Sequence, residues 1–257
     1  MRLIIVRHGD PDYEHDTLTE TGWKEAQALV PRFQNMAITD FYVSPLGRAQ
    51  DTASCTLKAL NRSAVTCDWL QEFPSRVEIR NNPDLDFAYP DKKVRDGILC
   101  ANVTWDVLPK YWTEHPEYYD KTLWKESAIA RQGDLIPCYE HVTKKFDELL
   151  AQHGYRRHHN YYLAEKSNRD TLVFFCHFGL ECVLISHLMG TSPFIPWHSM
   201  AFAPTSVTTF YTEERQEGIA YFRASSLGDI SHLYAAGLEP SFSARFCETY
   251  DSWDERH

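Results

Sequence analysis

The chain has 257 residues, 43% hydrophobic and 24% charged, which is ordinary usage for a soluble globular protein and enough to bury a substantial core. Its formal net charge of -10 excludes a broad basic footprint for nucleic acid or an anionic membrane. Any anionic ligand must therefore be held by a local cluster of Arg and His, and such a cluster is informative in an acidic chain. The cysteines number seven, with no C-x-x-C pair and no zinc-ligand spacing, which reads as reduced thiols. The apolar run at the N-terminus is too short for a signal peptide or membrane span, so a cytoplasmic location is expected.

In chain order, Leu3 to Val6 is a β-branched apolar run followed by Gly9 and Pro11, and it predicts a buried strand with Arg7 and His8 at its C-terminal end. Thr19, then Ala26, Leu29, Val30 and Phe33 at helical spacing, predict one capped amphipathic helix. Phe41 to Val43 reads as a strand stopped by Ser44-Pro45, followed by a helix on Ala49, Ala53, Leu57 and Leu60 that carries Arg48 in its first turn. Val65 to Trp69 is a weaker strand ending at Leu70-Gln71-Glu72. From about 75 to 168 the pattern is irregular and rich in Trp, Tyr, Asp and Pro, with a helix expected over Ala128 to Gln152. Leu172 to Cys176 is a strong strand, followed by His177 and a helix over Leu180 to Leu188. Val207 to Tyr211 and Ile219 to Phe222 read as a hairpin or sheet edge, and Cys247 to His257 as a frayed, charged end.

This alternation predicts an α/β three-layer sandwich with a mostly parallel central sheet and helices on both faces. The chain reads as a single domain over 1–257, decorated by an α-rich insertion at about 75–168 that shapes the entrance to the site. Ligands of such sheets gather beyond the carboxyl ends of the strands, so Arg7, His8, Arg48, Glu72 and His177 are candidates to share one pocket. Their chemistry suits phosphoryl transfer: an imidazole nucleophile, guanidinium forks for the equatorial oxygens, and a carboxylic acid for the leaving oxygen. His8 would need a hydrogen-bond acceptor on its far side, which the adjacent turn can supply.

Several of these residues also have plainer readings. Arg48 could pair with Asp51 on a helix surface, Glu72 could be a solvated carboxylate, and His177 could close a strand. His153, His158 and His159 beside Arg156 and Arg157 read as a solvated loop. Asp10, Asp12, His15 and Asp16 fit a polar rim, and no metal or other cofactor is expected. Most of the aromatic residues between Phe87 and Trp124 are expected to form local core.

Arg7-His8-Gly9, Leu18-Thr19 with Gly22, Ser44-Pro45-Leu46-Gly47-Arg48-Ala49 with Thr52-Ala53, Leu70 to Glu72, and Cys176-His177 occur in the order of the histidine phosphatase superfamily, to which the phosphoglycerate mutases belong, and the chain resembles that family. The resemblance implies that His8 takes the phosphoryl group, that Arg7, Arg48 and His177 bind it, and that Glu72 protonates the leaving group and then helps to activate water. It covers the first seventy or so residues, Thr171 to Gly190, and Ser206 to Leu233. Two features depart from the pattern: the loop between Gly9 and Leu18 is shorter than in the mutases and lacks their Asn, and Phe178 follows His177 where the family often has Gly. The expected activity is hydrolysis of a small phosphomonoester, with mutase-type transfer or a non-catalytic phospholigand-binding module as alternatives. The sequence leaves the substrate and the oligomeric state open.

Overall fold

The computed structural model describes residues 1–79, 82–243, 248–249 and 251–256, and the chain divides into two compact units. The first comprises Met1–Glu72, Lys166–Phe178 and Ala201–His257; the second comprises Phe73–Glu165 and Gly179–Met200.

In the first unit, the strands run in the order Val65–Thr66, Asp40–Val43, Thr171–Cys176, Arg2–Arg7, Val207–Gln216, Ile219–Asp229. The first four are mutually parallel, and the last two join as an antiparallel hairpin on the edge of Arg2–Arg7. Ile4, Val6, Phe41, Val43, Val173 and Phe175 point to one face, where they pack with Leu29, Phe33, Ala49 and Ala53 of the helices. Leu3, Ile5, Leu172 and Phe174 point the other way and are buried as well. Burial on both faces is why these strands read as unbroken apolar runs. The fold is α/β, a mixed sheet that is parallel in its centre with helices around it.

The expected helix after Thr19 is two helices, Glu20–Ala28 and Val30–Gln34. Thr19 caps the first, accepting the Gly22 amide at 3.1 Å. Pro31, which has no amide hydrogen to give an interior turn, starts the second. Helix Gly47–Leu60 stops at Asn61, which takes the left-handed conformation at φ 52°. The expected strand from Val65 to Trp69 is only Val65–Thr66, and Asp68–Leu70 turns as a 3-10 helix. The C-terminal hairpin is longer than its apolar pattern. The last described residues pair Glu248–Thr249 with Ser252–Arg256 instead of fraying, while Cys247 and His257 lie outside the described residues.

The second unit contains helices Pro83–Ala88, Pro109–Thr113, Ala128–Arg131, Leu135–Gln152 and Phe194–Ser199, with hairpins Lys92–Arg95/Ile98–Ala101 and Tyr155–His158/Tyr161–Ala164. The helix expected over Ala128 to Gln152 is interrupted at Gly133, where the backbone of Arg76 passes so close that a β-carbon would lie 1.9 Å from its carbonyl oxygen. Tyr89, Trp105, Tyr111, Trp112, Tyr118 and Trp124 are buried, as local core requires, whereas Phe87 and Tyr119 are exposed. Arg156 pairs with Glu165 at 2.6 Å across the hairpin that carries His158. Among the described residues no helix is long and apolar enough to cross a membrane, and the six described cysteines are free.

Candidate active site

Parallel register aligns three strand ends. Arg7 stands opposite Cys176, and Phe175 opposite Val43, so the next residues, His8, His177 and Ser44, emerge at one edge of the sheet. The backbone there is fixed from both sides: the His8 amide donates to Cys176 at 3.0 Å, the Ser44 amide to Phe175 at 3.0 Å, and the Thr205 amide to the His8 carbonyl at 3.1 Å. The rings of His8 and His177 lie 5.1 Å apart between centroids, inclined by 55°.

His8 Nδ1 is 2.7 Å from the Gly9 carbonyl oxygen. A carbonyl only accepts, so Nδ1 carries the proton and the lone pair is left on Nε2. Gly9 is held in turn, its amide donating to Thr52 Oγ1 at 2.9 Å while that hydroxyl donates to the Arg48 carbonyl at 2.7 Å. The helix that carries Arg48 therefore also orients the turn behind His8. His177 Nε2 lies 2.7 Å from Ser44 Oγ.

Arg7 is almost fully buried, donates from Nη1 to the Phe202 carbonyl, and stands 5.7 Å from the centroid of the Phe178 ring. Phe178 thus fills this wall of the cluster. Arg48 donates from Nη1 to Asp16 Oδ1 at 2.7 Å, with the Tyr13 ring over its guanidinium. Asp51, the alternative partner for Arg48, instead accepts from the Thr17 hydroxyl.

Burial pushes the His8 imidazole well below its ordinary titration range, the Arg7 charge adds to this and Arg48 contributes further, against the opposing bond to Gly9. His177 is lowered by burial, then by His8, Arg48 and Arg7. Both imidazoles are therefore neutral beside two guanidiniums, of which Asp16 offsets one. Among the described residues, His177 Nδ1 and Arg48 Nε are buried without a hydrogen-bond partner. Orphaned polar atoms beside surplus positive charge are what an oxyanion satisfies.

Arg7, His8, Arg48 and His177 thus form one cluster. Glu72 is half-buried in the loop two residues past the 3-10 helix Asp68–Leu70. Asp16, expected on a polar rim, and Ser44 and Thr52, present in the motif without an assigned role, join the cluster's surroundings, as does Tyr13. Within the rim loop, Asp12 bonds His15 at 2.8 Å and Asp10 accepts from Thr19 Oγ1 at 2.7 Å. Among the described residues no group of three or more His, Cys, Asp or Glu is arranged to hold a metal ion.

Gly47 is the closest approach in this neighbourhood: a β-carbon there would lie 2.0 Å from the Asp16 carbonyl oxygen, and its amide donates to Asp16 Oδ2 at 2.7 Å. Gly47→Ala is expected to cost about 2 kcal/mol or more, as overpacking against backbone does. A shift of the denaturant midpoint to lower concentration checks this, and an unchanged midpoint would mean that the loop moves aside freely.

Fold and geometry together define an α/β protein with a buried cluster of two imidazoles and two guanidiniums at the carboxyl edge of its parallel strands. The family model described as the histidine phosphatase superfamily (branch 1) matches residues 3–89, and over that segment the chain is similar to that superfamily. A 2,3-bisphosphoglycerate-dependent phosphoglycerate mutase from Thermoplasma acidophilum is 32% identical over 73 residues, which span 24% of this chain and 36% of the mutase. Similar solved structures include a phosphoserine phosphatase variant from Entamoeba histolytica in complex with phosphoserine, at 17% identity and TM-score 0.57 over 90% of this chain and 98% of that one. A mycobacterial glucosyl-3-phosphoglycerate phosphatase has 17% identity and TM-score 0.57 over 88% and 98% of the respective chains. An α-ribazole phosphatase from Shigella flexneri has 19% identity and TM-score 0.51 over 90% and 97%. At these identities the structural likeness is one of fold.

Proposed function

We propose that this chain is a phosphomonoesterase that works through phosphorylated His8, with a small-molecule phosphomonoester as substrate and no part for nucleic acid or membrane. The observation that carries this reading is the His8 bond to Gly9, 2.7 Å, which leaves a lone pair on Nε2 of a neutral imidazole beside Arg7, Arg48 and His177. In the first step the Nε2 lone pair attacks phosphorus in line, the bond to the ester oxygen breaks, and that oxygen takes a proton from the Glu72 carboxylic acid. Arg7, Arg48 and His177 balance charge on the equatorial oxygens. In the second step water attacks the phosphohistidine, the Glu72 carboxylate takes its proton, the P–N bond breaks, and inorganic phosphate leaves. Glu72 enters on its position in the motif. The sequence of bond changes uses only protein groups and water, so activity should persist in EDTA.

Mutase-type transfer, in which a second hydroxyl replaces water, is the alternative favoured by the N-terminal match to a phosphoglycerate mutase. The shortened loop without the mutases' Asn supports hydrolysis. Incubation with 3-phosphoglycerate separates the two: release of inorganic phosphate supports the phosphatase, and interconversion with 2-phosphoglycerate without release supports the mutase. A panel of monoesters that are bound but never turned over would leave a binding module.

The pH profile follows from the depressed imidazoles. His8 in the free protein takes up a proton only well below pH 6.5, so the nucleophile stays neutral through that range. The rate kcat/KM, which reports the free enzyme, is expected to show no acid limb with a midpoint near 6.5. A limb there, abolished by substitution at His8, would contradict the burial argument.

A further inference from the structure

We infer that this site takes phosphate esters of neutral alcohols, preferably with a flat or apolar face, and disfavours those whose alcohol bears a carboxylate, with Tyr13 and Asp16 imposing the choice. The inference rests on the phosphomonoesterase reading above and adds the class of leaving group.

The loop that follows His8 and Gly9 folds back as a short hairpin, Pro11–Asp12 against Thr17–Leu18. Asp12 organises its tip, accepting the amides of Glu14 at 3.0 Å and His15 at 3.2 Å. Its far end is pinned by Asp16, one carboxylate oxygen on the Gly47 amide and the other on Arg48 Nη1, both at 2.7 Å. Asp16 sits at φ 49°, a left-handed conformation held by these contacts. The carboxylate is therefore not free to swing away when a phosphate takes its share of Arg48. The same fold of the loop sets the Tyr13 ring 5.4 Å from the Arg48 guanidinium, with the residue 67% exposed.

Exposure rises outward along this series. His8 is 1% exposed, the Arg48 side chain 11%, that of Asp16 43%, and Tyr13 67%. In-line displacement requires the departing oxygen to lie opposite the attacking nitrogen, and an alcohol that leaves along this gradient passes Asp16 and Tyr13. A carboxylate carried by that alcohol would meet the fixed Asp16 charge and be repelled. The loop offers it no compensating partner: His15 is the one basic residue between Gly9 and Leu18, and it is bonded to Asp12. A neutral ring meets no such penalty and finds the outer face of Tyr13 to pack on.

Glycerol 3-phosphate and 3-phosphoglycerate share a carbon skeleton and differ at the carboxylate, so their ratio of kcat/KM isolates the charge effect. The native protein is expected to favour glycerol 3-phosphate by about tenfold or more and to use phenyl phosphate better still. Asp16→Asn should compress the first ratio by roughly threefold to tenfold, and Asp16→Glu, which keeps the charge, should retain most of it. Tyr13→Leu should lower the ratio of kcat/KM for phenyl phosphate over glycerol 3-phosphate by roughly threefold, whatever it does to the two rates together. Each comparison is internal to one variant, so a general loss of stability cancels from it. A native preference for 3-phosphoglycerate, or a ratio that Asp16→Asn leaves unmoved, overturns the inference. Calorimetric binding of the same two esters to His8→Ala reads the preference without turnover, so failure of the inference is distinguished from failure of the phosphatase reading, which absent phosphate release would signal.

Discussion

His8→Ala is expected to abolish phosphate release, with kcat lowered by roughly three orders of magnitude or more, because it removes the proposed nucleophile. The loss should fall on kcat rather than on affinity. Arg7, Arg48 and His177 remain to hold the ester, and removing the ring relieves crowding beside a bound oxyanion. His8→Gln tests the same point while keeping polar volume. Steady-state release of inorganic phosphate, with folding checked by circular dichroism, measures the loss. A variant that retained a tenth of native activity would show that the imidazole is a positioning group and would transfer the attack to water.

Arg48→Ala is expected to cost about 10²–10³ in kcat/KM, the range for removing a donor aimed at charge in the transition state. Lysine should not restore it. The guanidinium makes one N–H bond to Asp16 while its Nε is buried without a partner among the described residues. A single ammonium cannot hold Asp16 and an equatorial oxygen in the same plane. Arg48→Lys should therefore recover less than about tenfold of the loss. Full recovery would mean that Arg48 acts as a diffuse positive charge. Arg7 is a less clean target, because its bond to Phe202 and contact with Phe178 make it part of the wall as well as of the cluster.

The sheet was legible wherever a strand is buried on both faces, since Leu3 to Val6 and Leu172 to Cys176 leave no other use for such runs. Polar residues directly behind them could be named as site candidates because parallel strands bring their carboxyl ends to one edge. Helix boundaries failed where a single residue overrides periodicity, at Pro31 by its missing amide hydrogen and at Gly133 by the passage of Arg76. Between 75 and 168 the long helix Leu135–Gln152 was legible, but the stretch before it was opaque because its helices are short and three of its turns begin with Pro83, Pro109 and Pro116, which leaves no room there for a full amphipathic period. Within the site, His8, Arg7, Arg48 and His177 were readable from position and motif. The parts played by Asp16, legible only as a rim residue, and Ser44, legible only as a strand stop, were not: Asp16 meets Arg48 across 32 residues and Ser44 meets His177 across 133, and nothing in local spacing encodes either contact.

The measurement that tests the central claim most directly is rapid acid-free quenching of the native protein with a turned-over monoester in EDTA, followed by peptide mass spectrometry. A single phosphoryl group on Nε2 of His8, formed within one turnover, absent from His8→Ala and discharged by water as inorganic phosphate appears, is the predicted result. Phosphate release by the native protein with no phosphohistidine at any time, or with the label on another residue, would contradict it.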